Sequence, residues 1–126
     1  MKNAVVLIVE DEALIRMNAR DMLEEAGYGV LEACDADEAI AILESRNDIR
    51  AVFTDITMAG SMDGWKLAHA IRSRWPPIHL ILTSGLKVPD GELPTNGRFI
   101  PKPYSADRIT TALRELFDTE QPRPHI

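Results

Sequence analysis

Along the chain, short uninterrupted runs of apolar residues alternate with longer stretches in which apolar positions recur every three or four residues. "AVVLIV" (4–9) is of the first kind, the pattern of a strand buried on both faces. "EALIRMNARDMLEEAG" (12–27) is of the second, placing Ile15, Ala19, Met22 and Ala26 on one side of a helix that Gly27 ends. The pair then repeats. "YGVLEA" (28–33) predicts a second strand, and "DADEAIAILESR" (35–46) a helix that Asp35 caps, with Glu38 three residues on to complete a capping box. "AVFT" (51–54) is a third strand, with Asp55 standing where it ends. "DGWKLAHAIRSRW" (63–75) is a helix showing Leu67, Ala70, Ile71 and Trp75, stopped by Pro76 and Pro77. "IHLILT" (78–83) and "RFI" (98–100) supply a fourth and a short fifth strand. "SADRITTALRELFD" (105–118) closes as a helix capped by Ser105, with Ile109, Leu113 and Leu116 inward.

Strands that are nearly all apolar and alternate with helices call for a parallel sheet covered on both faces and joined by right-handed crossovers, a doubly wound α/β fold. Between the fourth and fifth strands, "GLKVPDGELPTNGR" (85–98) breaks the alternation. Pro89, Gly91, Pro94 and Gly97 predict an irregular segment with at most a short helical turn, because an interior proline costs a helix about 3 kcal/mol and a glycine about 1 kcal/mol. The end of the chain, "TEQPRPHI", reads as a frayed tail, giving one domain over 1–118 and a tail over 119–126.

Composition narrows the function. The 126 residues include 45% hydrophobic and 27% charged side chains, enough for one domain with a real core. A net charge of -6 and the lack of a Lys/Arg cluster argue against a nucleic-acid partner. Acidic residues at Glu10 and beyond interrupt the first apolar run too early for a signal peptide or membrane span. Cys34 is the single cysteine, so no internal disulfide is possible, and a cytoplasmic, reducing setting is the natural expectation.

In doubly wound sheets ligands bind at the carboxyl ends of the strands. Strand one ends in Glu10-Asp11, strand three in Asp55, strand four in Thr83-Ser84-Gly85, and strand five leads into Lys102-Pro103. Singly, each has a plain structural reading: Asp11 as a cap of the first helix, Asp55 and Ser84 as turn residues, Lys102 as a solvated charge. Together they bring three carboxylates, a hydroxyl and an ammonium to one sheet edge. Carboxylates gathered so closely repel and need a cation, and an all-oxygen donor set suits Mg²⁺. Lys102 and Ser84 can then meet the oxygens of a phosphoryl group transferred to Asp55 as nucleophile.

These residues resemble the receiver domain of two-component response regulators, the family of the chemotaxis regulator, over residues 4–118. The resemblance rests on Glu10-Asp11, on Asp55 followed by "MAGSMDG", on Ser84-Gly85 and on "FIPKP" (99–103). It implies a five-stranded sheet of order 2-1-3-4-5 and Asp55 as phosphoacceptor. Mg²⁺ would be held by Asp11, Asp55 and the carbonyl of Thr57, with Glu10 acting mostly through a bound water. Lys102 would pair with the phosphoryl group, while Ser84 and Phe99 would be the switch hydroxyl and aromatic. It further implies a sensor histidine kinase or histidine phosphotransfer protein as donor, a protein target as output, and a regulator that assists its own phosphorylation and dephosphorylation. With no second domain after residue 118, a stand-alone module is the expectation.

The resemblance has two departures. Met58 is followed by Ala59 where the family usually has proline, with the path to Asp63-Gly64 one residue longer. Thr83 and Ser84 are adjacent hydroxyls on opposite faces of the strand; Ser84 is chosen because Gly85 follows it, as the family prefers. Three other readings compete. An aspartate-nucleophile phosphatase of the haloacid-dehalogenase type would need a second acid where Thr57 stands. A flavodoxin-like binder would need a phosphate cradle where "EDEA" stands. A receiver-like interaction module that works without phosphorylation would need none of the acidic and basic set.

Overall fold

The computed structural model describes residues 4–56, 63–85 and 97–120, without the side chains of 119 and 120. Its elements run β1 (Val5–Val9), α1 (Ala13–Glu25), β2 (Gly29–Ala33), α2 (Ala36–Ser45), β3 (Ile49–Asp55), α3 (Gly64–Arg74), β4 (His79–Ser84), β5 (Gly97–Pro101) and α4 (Ala106–Glu120). The strands form one parallel sheet of order β2-β1-β3-β4-β5. Such pairing requires each connection to cross back over a face, and the core accordingly has two layers. On one face Leu7, Val9, Val52, Leu80 and Leu82 pack under Ala39 and Leu43 of α2 and Leu67 and Ile71 of α3. On the other, Val6, Ile8, Phe53 and Ile81 pack under Ala19 and Leu23 of α1 and Ile109, Leu113 and Leu116 of α4. The predicted fold is the observed one. The segment 86–96, expected to be irregular, and residues 121–126 of the tail lie outside the described residues.

Local chemistry sets the boundaries. Gly27 has φ 98°, where a side chain would be strained, and its N–H donates to the Glu24 carbonyl at 3.0 Å while that of Tyr28 donates to Leu23 at 3.0 Å. This paired closure ends α1 and turns the chain into β2. Asp35 caps α2 by accepting from the Glu38 N–H at 2.8 Å, but Glu38 reaches back to the N–H of Cys34 at 2.7 Å, one residue before the cap. Asp63 caps α3 by accepting from Lys66 at 2.9 Å, and Ser105 caps α4 by accepting from Arg108 at 3.2 Å.

Four details differ from the sequence reading. The buried centre of α1 is Ala19 and Leu23, with Ile15 and Met22 on its flank and Ala26 exposed, a rotation that puts the larger Leu23 in the core. In α3 the small Ala68, rather than Ala70, lies fully inside beside Leu67 and Ile71. β3 starts two residues early, at buried Ile49 in register with Val5, and the exposed Arg50 that follows sets its guanidinium 5.8 Å from the Phe117 ring centroid. The last helix runs on to Glu120.

Candidate functional site

β1, β3, β4 and β5 all end at the same edge, and alternation decides what they offer there. Val6 and Ile8 face α1 and α4, so Glu10 follows on that side, as Asp55 follows Phe53 and Lys102 follows Ile100. These three side chains meet. Lys102 Nζ stands 2.5 Å from Asp55 Oδ2 and 3.3 Å from Glu10 Oε1, joining positions 47 and 92 residues apart in sequence. Glu10 is 4% exposed and Asp55 7%. One ammonium is therefore shared between two carboxylates that have little access to water.

Their surroundings set the proton affinities. Burial pushes the Glu10 carboxyl up to about 7, helped by the nearby Asp55 charge and by a hydrogen bond with Asp11, and opposed by the Glu12 N–H and Lys102. Burial pulls on Lys102 in the direction of losing its proton, but the bond to Asp55 and the charges of Asp55 and Glu10 outweigh it, and the amine is held above its ordinary value. Tyr104 lies edge-on to Phe53 with ring centroids 5.3 Å apart, and burial raises its hydroxyl to about 12. The Lys102-Pro103 peptide is cis.

Asp11 is exposed at the turn before α1, and it is not the cap of that helix. The cap position is Glu12, whose side chain makes no capping bond, so the plain structural reading of Asp11 is not what the chain does. Thr83 and Ser84 are both buried, at 2% and 3% exposure. Thr83 stands in register with Asp55 and its hydroxyl has no hydrogen-bond partner among the described residues; Ser84 pairs with Pro101, and its carbonyl accepts from the Lys102 N–H at 2.9 Å. Phe99 pairs with Leu82 and packs against the α2/α3 layer, the side of the sheet that Ser84 follows by alternation. Thr57 and the altered loop at 58–62 lie outside the described residues.

Two residues that the sequence reading did not single out shape this edge. Gly64, first in α3, donates its N–H to the Ile56 carbonyl at 2.8 Å and lies so close to β3 that a Cβ would stand 1.8 Å from the Asp55 carbonyl oxygen. Its signal was present in the Asp-Gly pair closing the loop. Arg16 donates to the Glu10 carbonyl at 2.8 Å and to Glu32 at 3.1 Å. Its signal is weaker: an arginine one turn past an acidic cluster, with Arg20 at i+4 on the same side.

Among the described residues no three Asp, Glu, His or Cys side chains are gathered as a ready-made metal cage. The donor chemistry nonetheless fits a hard divalent cation: the donors that the described residues bring here are oxygens, the carboxylates of Glu10 and Asp55 are buried, and one lysine is shared between them. No helix among the described residues is long and apolar enough to cross a membrane.

Comparison with known proteins agrees with the geometry. A profile of the response regulator receiver domain matches residues 6–114. The sensor kinase CckA of Brucella abortus is 34% identical over 124 residues, covering 94% of this chain and 13% of its own. A solved receiver domain of hybrid histidine kinase CckA is 30% identical with a TM-score of 0.76, over 89% of this chain and 97% of that one. The response regulator TrrA of Thermotoga maritima, solved in complex with Mg²⁺ and BeF, is 27% identical with a TM-score of 0.80, over 92% and 99%. The chain spans between 13% and 49% of the length of the curated relatives it matches. With its sheet order, its acid-and-lysine edge and a profile match over nearly its whole length, this chain belongs to the response regulator receiver domain family.

Proposed function

We propose that the chain accepts a phosphoryl group on Asp55 from a sensor histidine kinase or a histidine phosphotransfer protein, and that the modification switches a protein-interaction surface. The observation that carries the reading is the contact of Lys102 Nζ with Asp55 and Glu10, which joins the ends of three strands around one carboxylate. In the transfer the phosphorus–nitrogen bond of a phosphohistidine breaks as a phosphorus–oxygen bond to Asp55 forms, and the departing imidazole keeps the electron pair. Lys102, already held protonated at Asp55, supplies positive charge for the phosphoryl oxygens. Asp11, Asp55 and the Thr57 carbonyl would hold Mg²⁺, with Glu10 acting through water; when bound, the ion neutralises charge developing on the transferred group. Ser84 would follow the phosphoryl group and Phe99 would turn inward behind it, as the family resemblance implies.

The chain acts as a phosphoacceptor regulator, assisting its own phosphorylation and dephosphorylation. We place it in the cytoplasm, where its exposed Cys34 thiol is at home. The test is intact mass after incubation with Mg²⁺ and acetyl phosphate. Wild type should gain one phosphoryl group and Asp55→Asn none. Labelling of both would move the acceptor elsewhere, and labelling of neither would leave an interaction module that works without phosphorylation.

A further inference from the structure

Arg16 bonds to one acceptor just past the end of β1 and to another on β2. Nη1 donates to the carbonyl of Glu10 at 2.8 Å, and Nε donates to Oε1 of Glu32 at 3.1 Å. The other oxygen of Glu32 accepts from Arg20 at 3.0 Å. The Arg16 side chain is 20% exposed, so its bonds are partly shielded from competing water. The N–H of Glu10 is engaged as well, donating to the Ala33 carbonyl at 3.1 Å. Both backbone groups of Glu10 are thus tied toward β2, the edge strand.

Peptide planarity gives this tie its reach. The carbonyl of Glu10, the N–H of Asp11 and the Asp11 Cα belong to one rigid plane, so fixing the direction of that oxygen fixes ψ of Glu10 and with it the position of the Asp11 Cα. That placement sets where the Asp11 side chain starts relative to that of Glu10. The start of α1 adds no side-chain cap that could do the same, and the Glu12 N–H is itself taken by Glu10 Oε2 at 3.1 Å. A lysine could keep the charge pair with Glu32, but a single ammonium lacks the planar fork that spans two acceptors in fixed directions.

We propose that Arg16 is a positioning residue for the acid pair, holding the Glu10-Asp11 peptide so that both carboxylates are presented to Mg²⁺. The ion-binding half of the proposal rests on the Mg²⁺ reading above; the backbone half does not. Arg20 is the internal comparison, because it shares the helix and the Glu32 partner but makes no bond to Glu10.

The experiment titrates Mg²⁺ calorimetrically into wild type, Arg16→Gln, Arg16→Lys and Arg20→Gln, and records the Asp11 and Glu12 amide resonances of each without Mg²⁺. Loss of a residue that orients metal ligands typically costs 10–100-fold in affinity, so Arg16→Gln should bind at least about tenfold more weakly. Arg16→Lys should fall between it and wild type, and Arg20→Gln should stay within about twofold of wild type. The Asp11 amide should shift in both Arg16 variants and hold still in Arg20→Gln. Should Arg16→Gln not fold, Arg16→Lys carries the same comparison. Equal affinities and an unmoved Asp11 amide would return Arg16 to a plain link between α1 and β2. If wild type itself binds no Mg²⁺, the Mg²⁺ reading falls, and the amide shifts alone decide whether Arg16 sets the peptide.

Discussion

Among the described residues, Glu10 departs far from the ordinary behaviour of its side chain. Its carboxyl titrates near 7 in the fold against an ordinary value of 4.5, mainly because it is buried. Between those two values the folded chain binds more protons than the unfolded one. The stability that Glu10 contributes is therefore fully present below about pH 4.5 and is lost as pH rises through about 7. Glu10→Gln, measured by urea unfolding at pH 5 and pH 8 without divalent ions, should remove that part of the slope and lose less stability than wild type over the interval. Equal slopes in the two proteins would show that the carboxyl is not the group responsible. That Glu10, Asp55 and Lys102 share a face could be read from sequence, because strand alternation carries Val6 to Ile8 to Glu10 and Phe53 to Asp55. The guanidinium of Arg16 on a carbonyl could not, since that bond depends on helix rotation, which apolar spacing fixes only to within a residue. The choice between Thr83 and Ser84 was likewise beyond spacing: both hydroxyls are buried, and only pairing with Asp55 and Pro101 tells them apart.

At the scale of elements, the start of α3 is pressed onto the end of β3. A methyl group on Gly64 would meet not only the Asp55 oxygen but also the Asp55 carbonyl carbon at 2.7 Å and the Ile56 Cα at 2.9 Å, all backbone atoms that cannot swing aside. Gly64→Ala should therefore destabilise the fold by about 1–3 kcal/mol, the usual cost of overpacking, and displace the end of β3 at Asp55 as it does so. Denaturant unfolding and the Asp55 and Ile56 amide resonances check both halves. A variant as stable as wild type with unmoved resonances would mean that α3 can retreat freely. Most elements were legible because their caps are local: Asp35 and Ser105 lie within three residues of the N–H groups they accept from. The turned face of α1 was not, because Ala26 and Leu23 both suit a helical repeat and only the sheet below chooses between them.

For the whole molecule, the acidic edge predicts that ion binding and folding are linked. Any ligand that binds only the folded state stabilises it by mass action, about 2.7 kcal/mol at 100 times its Kd. For a domain of this size that corresponds to a rise in Tm of roughly 10 °C. Mg²⁺ should raise the Tm of wild type by this order, chelation should reverse it, and Asp11→Ala should not respond; an equal rise in Asp11→Ala would place the ion away from this edge. The contact between Lys102 and Glu10 carries a consequence for how the chain is made. The carboxylates of residues 10 and 55 are synthesised well before the ammonium that joins them, and the strand delivering that ammonium is the last of the sheet. A nascent chain halted before residue 102 could pair β1 with β3, yet it would bring two carboxylates together with no lysine between them. The contact that joins the three strand ends cannot form until the strand carrying Lys102 has left the ribosome, so an unfinished copy holds its two carboxylates without the ammonium between them.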